Sequence, residues 1–144
     1  MELGDGLWII FSLTQDAVPT LVEVKRSTDS HIRREVVGQM LDYAANAVAY
    51  WPVEQVRAKF QSRCEVAGED SDEILTGFLG ANAIPDEFWL NVKTNLQAGR
   101  IRLVFVADVI PAELRRVVEF LNQQMDPAEV LAIEVKQFIG DGMK

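Results

Sequence analysis

One cysteine and one histidine are all that the 144 residues offer to thiol or soft-metal chemistry. Cys64 alone closes no intramolecular disulfide and builds no zinc cluster, which fits a reducing compartment and sets a cytoplasmic expectation. No apolar run approaches the roughly 20 residues that a bilayer span needs, so no membrane partner is expected. Residues 1–5 lack the basic and apolar stretches of a signal peptide. Positive charge is scarce as well. Fourteen Lys and Arg against 22 Asp and Glu leave a net charge of −8, which argues against coating nucleic acid by bulk electrostatics. A nucleic-acid enzyme survives that argument if it gathers basic residues at its site and neutralises carboxylates with a metal ion. Internal repeats, low-complexity tracts and disordered linkers are missing too, and 49% of residues are hydrophobic. The expectation is one globular domain over residues 1–144 with its own core.

What is present alternates strand and helix patterns. Leu7 to Leu13 is an almost unbroken apolar run of strand length, and Pro19 opens a second strand over 20–26 after a five-residue turn. Together they predict an antiparallel hairpin, with the first strand covered on both faces. From Ile32 to Trp51 apolar residues recur at three-to-four spacing, a helix with one face on the sheet. Residues 53–99 predict three helices, Val53 to Ala67, Ser71 to Leu79 and Pro85 to Ala98, delimited by Gly68, Gly80 and Gly99. A strand over 101–109, a helix from Pro111 to Met125 and a last strand over 130–139 complete the chain. Strand, helix, strand at this spacing implies right-handed crossovers and parallel pairs.

The chemistry concentrates in Pro19-Thr-Leu-Val-Glu-Val-Lys-Arg26. Alternation along a strand puts Glu23 and Lys25 on one face, about 7 Å apart. An acid and an amine at the end of an otherwise apolar strand are costly unless they bind something. Capping residues Ser27 to Ser30 follow and hand the chain to the long helix, and such strand-to-helix junctions commonly carry sites. Arg26, His31, Arg33 and Arg34 make this the most basic patch of the chain. Glu35, Gln39 and Tyr43 form a polar stripe at i, i+4 steps along the helix. A second Glu-x-Lys, Glu134 to Lys136, lacks a capped helix behind it and reads as strand surface.

In that setting the stretch Pro19 to Ser27, followed by Arg34-Glu-Val-Val-Gly-Gln-Met-Leu-Asp-Tyr-Ala44, resembles the PD-(D/E)xK nuclease superfamily, and more closely an uncharacterised bacterial branch of it. The resemblance implies a restriction-endonuclease-like α/β fold, a mixed β-sheet flanked by helices. Residues 53–99 would then be a helical insertion, and the usual N-terminal part of the fold would be missing. It implies Mg²⁺ or Mn²⁺ held by Glu23, the Val24 carbonyl and an upstream acid. Lys25 would orient the attacking water and Gln39 would support the site. Arg26, Arg33, Arg34 and Tyr43 would contact DNA, the expected partner and substrate. The chain also departs from the family pattern at its first acid: the upstream acid belongs near Ile9, and residues 7–13 contain none, so Asp5 is the nearest candidate.

Two functional expectations follow. One is a Mg²⁺-dependent DNA nuclease; the alternative is a catalytically inactive nuclease-like module that binds nucleic acid or a protein partner. A homodimer formed by sharing strands at an open sheet edge is a third expectation.

Overall fold

The computed structural model describes residues 2–3, 7–26 and 35–140. β-formers without helical periodicity build β2 (Leu7–Leu13) and β3 (Pro19–Lys25), joined by the turn at residues 14–18. In that turn Ala17 sits at φ 60°, and the Asn95 side chain donates to its carbonyl at 2.9 Å. A two-residue strand, β1 (Glu2–Leu3), precedes the hairpin. Four helices follow it: α1 (Glu35–Tyr50), α2 (Val53–Ala67), α3 (Ser71–Leu79) and α4 (Pro85–Gln97). The chain closes with β4 (Arg102–Ala107), α5 (Ala112–Gln124) and β5 (Glu129–Glu134). α2 and α3 stop at glycines in the left-handed region or beyond it, Gly68 at φ 73° and Gly80 at φ 120°, conformations that side chains disfavour.

The sheet order is β1-β2-β3-β4-β5. β2 and β3 pair antiparallel, while β3–β4 and β4–β5 pair parallel. The architecture is therefore a mixed α/β sheet, as the strand and helix patterns lead one to expect. Both crossovers step the same way across the sheet. Crossovers of the same right hand that step the same way leave their helices on the same face. Buried residues agree: Ile9, Leu21, Leu103, Phe105, Ala107 and Val130 of one sheet face pack with Val36, Met40, Val92, Leu96, Leu114 and Val118 of the helices.

Two details differ from the sequence expectation. β2 is covered on one face only, since Ile9 is 2% exposed and the next residue, Ile10, is 51% exposed. The last strand ends at Glu134 and not at residue 139, because its ladder partner β4 ends at Ala107. Beyond it Phe138 stands 87% exposed. The 53–99 segment is also no mere appendage. Phe88, Trp89, Val92 and Leu96 of α4 are buried in the same core as the sheet.

Asp70 caps α3, accepting from the backbone N–H groups of Asp72 and Glu73 at 3.0 Å each. Asp70→Ala is expected to cost about 1 kcal/mol in a urea titration. An unchanged midpoint would mean water replaces the cap.

Candidate active site

Strand alternation puts Glu23 and Lys25 on the helix-covered face of β3, a strand flanked on both sides. They line one crevice with Val36 of α1, Phe105 and Ala107 of β4, Ile110 just before α5 and Leu114 in its first turn. The space is about 10 Å³, enough for a single water at most. Glu23 is 1% exposed, and neither carboxylate oxygen has a hydrogen-bond partner among the described residues. Buried polar groups almost always find partners, so an orphaned carboxylate needs a reason.

The sheet register supplies the electrostatic setting. Ile9 lies opposite Glu23 on β2 and Phe105 lies beside it on β4, so both lateral neighbours are apolar. Burial therefore pushes the Glu23 carboxyl up from 4.5 to about 7, partly offset by the nearby Lys25 ammonium. The upstream acid of the family pattern is expected near Ile9, a position that pairs with Glu23 in the sheet. The residue there is a buried isoleucine.

The other expected site residues are less concentrated. Val24 turns its side chain to the opposite face, 49% exposed, which leaves its backbone carbonyl as the group the resemblance invokes. Gln39 is exposed on α1 and does not line the crevice; Val36, one turn earlier, does. Tyr43 is half-buried against Trp51, ring centroids 5.2 Å apart, and burial pushes its phenol up. Arg26 is exposed just past the end of β3. Asp5, Arg33 and Arg34, with His31, lie outside the described residues. Among the described residues no three acids, histidines or cysteines converge as a metal cluster.

One residue that the sequence reading assigned to plain surface has a structural task. Glu134 shares a lateral row with Lys25 through Ala107. Its carboxylate accepts the Ile110 N–H at 2.9 Å, which holds its pKa down, with Lys136 at 3.5 Å. Ile110 walls the crevice, so Glu134 fixes that wall from the neighbouring strand. Only the β4–β5 register reveals this; the tripeptide alone carries no such signal. Beyond Ile110 a wider groove of about 350 Å³ opens between α5 and β5, lined by Arg115, Glu119 and Glu134 among others.

A divalent cation can be tested against these groups. Hard Mg²⁺ takes one or two carboxylates, keeps several waters and draws further oxygens from substrate phosphates. Glu23 supplies one such carboxylate and the Val24 carbonyl is the second oxygen the resemblance invokes, but the crevice of about 10 Å³ would have to open to admit an ion with its waters. The chain matches no protein-family model, no curated protein and no solved structure to which it was compared.

Proposed function

We propose that the chain is a nuclease-type domain that hydrolyses DNA phosphodiesters with a divalent cation at Glu23. The observation that carries the reading is the orphaned Glu23 carboxylate, buried beside a lysine near the carboxyl end of a parallel strand. Burying such a group costs several kcal/mol unless it is protonated or paired with a cation. When bound, Mg²⁺ or Mn²⁺ supplies Lewis acidity toward the phosphate and lowers the pKa of water. Glu23 holds the charge that attracts the ion, and the Val24 carbonyl adds a second oxygen. Lys25, on the same side of β3, offsets charge developing on the phosphate and orients the water. Arg26, just past the end of β3, and Arg33 and Arg34 are the residues this reading assigns to the DNA backbone, with Gln39 and Tyr43 on the helix flank in supporting contact. Asp5 is the acid the reading would recruit as a further ligand.

The test is cleavage of single- and double-stranded DNA with and without Mg²⁺ or Mn²⁺. Glu23→Gln and Lys25→Ala are each expected to lower the rate about a hundredfold, a loss of roughly 2.7 kcal/mol of transition-state stabilisation. Metal-independent cleavage, or cleavage that survives both substitutions, removes the site.

The apolar neighbours of Glu23, Ile9 and Phe105, favour the alternative of an inactive nuclease-like module, since no second side-chain oxygen faces Glu23 from β2 or β4. DNA binding that weakens with salt, without cleavage under any divalent cation, is its signature.

A further inference from the structure

The face of the sheet that carries no described helix is apolar across four strands. Ile10 of β2, Val22 and Val24 of β3, Val104 and Val106 of β4, and Leu131 and Ile133 of β5 fall on it by alternation and by register. Ile10 is 51%, Val24 49%, Leu131 38% and Ile133 45% exposed, while Val22 and Val106 are half-buried and Val104, in the middle, is 6% exposed. Together they present on the order of 400 Å² of apolar surface, the size of the largest patch on a typical monomer and often a functional one.

The chemistry of the patch narrows what covers it. Nucleic acid is a poor occupant, because the described charges on this face, Arg102 and Glu129, pair with each other and the chain carries −8 overall. A lipid surface calls for a rim of free lysines and arginines, whereas the Arg102 guanidinium at this rim is held by Glu129 at 2.6 Å and Asp16 at 3.9 Å. An apolar protein surface is left. A two-fold interface needs only one self-complementary patch, and β-branched rows on twisted sheets pack face to face about 10 Å apart. A standard interface takes about 800 Å² from each partner, of which somewhat over half is apolar, roughly 450 Å². The patch is close to that apolar share, and the polar row of Ser12, Thr20, Arg102 and Glu129 borders it on the same face.

We propose that this open sheet face is the two-fold interface through which two copies of the chain associate. The interface is separate from the Glu23 crevice, which lies on the helix-covered face, and it uses the sheet's face and not its β5 edge. It stands whether or not the chain cleaves DNA.

The test is mass in solution by sedimentation equilibrium, from low-micromolar to sub-millimolar protein. The wild-type chain is expected to move from 16.2 kDa toward twice that value. The double substitution Ile10→Lys and Ile133→Lys, at exposed positions that leave the core intact, is expected to weaken association about a hundredfold. Circular dichroism confirms that this variant folds. A second reading needs no variant: concentration-dependent methyl shifts in the wild-type protein are expected at Ile10, Val22, Val24, Val106 and Ile133. A 16.2 kDa mass at every concentration overturns the proposal. So does undiminished association of the folded double variant, or a set of shifts confined to β5 backbone amides, which would mean strand sharing at the edge.

Discussion

Between pH 5 and pH 8 the wild-type chain is expected to lose about 3 kcal/mol of folding stability that Glu23→Gln retains. The cause is the buried carboxyl, whose pKa rises from 4.5 to about 7 chiefly through desolvation, with Lys25 pulling the other way. Between those two values the folded chain holds a proton that the unfolded chain has released. Stability therefore falls as pH climbs through this window, and the loss is complete once the folded carboxyl ionises above about 7. Each unit of separation is worth about 1.4 kcal/mol. Glutamine keeps the shape of the protonated acid and cannot ionise, so its contribution has no slope. Urea unfolding of both proteins at several pH values measures the difference and cancels the titration of the other acids. Near pH 5 the two should agree closely; at pH 8 the variant should be the more stable. Parallel profiles would show that the Glu23 carboxyl is not held in an apolar site. The same experiment probes the cation. Mg²⁺ or Mn²⁺ at pH 8 should restore stability to the wild-type chain by RT ln(1 + [L]/Kd) and leave Glu23→Gln unmoved.

That experiment turns on a depth that alternation could not supply. The period of two in Leu21 to Lys25 places Glu23 and Lys25 on one face, and they line one crevice; that Ile9 lies across from Glu23 comes from the ladder register. Helix bounds were equally readable, because Gly68, Gly80 and Pro85 stop or start helices through backbone geometry that acts locally. Depth is different. Glu23 is 1% exposed because β4 pairs beside β3 and the core closes over that face, and β4 arrives almost 80 residues later in the chain. The open face was illegible for a related reason. A run such as Leu7 to Leu13 reads the same whether its second side meets a helix or a second protein. The early end of β5 follows from the same dependence on partners. Val135 still donates to the Ala107 carbonyl at 2.9 Å, but β4 offers Phe138 and Ile139 no further ladder, however strand-like they are.

The register makes one substitution more informative than any deletion: Ile9→Asp. Ile9 and Glu23 are directly opposed across the β2–β3 ladder, both buried, and such pairs hold their Cβ atoms about 5 Å apart. An aspartate there would put a second carboxylate where one ion can bridge to Glu23. Without a divalent cation the variant loses a buried aliphatic side chain and sets two like charges together in an apolar site. The expected cost is at least about 4 kcal/mol, with the Glu23 carboxyl driven further up. With Mn²⁺ the two acids become a ligand pair, so Ile9→Asp should recover much of that loss and bind Mn²⁺ at least about tenfold more tightly than the wild-type chain. Titration calorimetry and thermal unfolding with and without Mn²⁺ measure both effects. Ile9→Asn is the neutral control, destabilised but not rescued. Rescue of Ile9→Asp and not of Ile9→Asn would establish that Glu23 faces a space a cation can occupy. It would also explain the isoleucine: a single-carboxylate site binds its metal weakly and completes it with substrate phosphates. Failure of Mn²⁺ to rescue a folded Ile9→Asp would leave Glu23 as a neutral structural acid and take the nuclease reading with it.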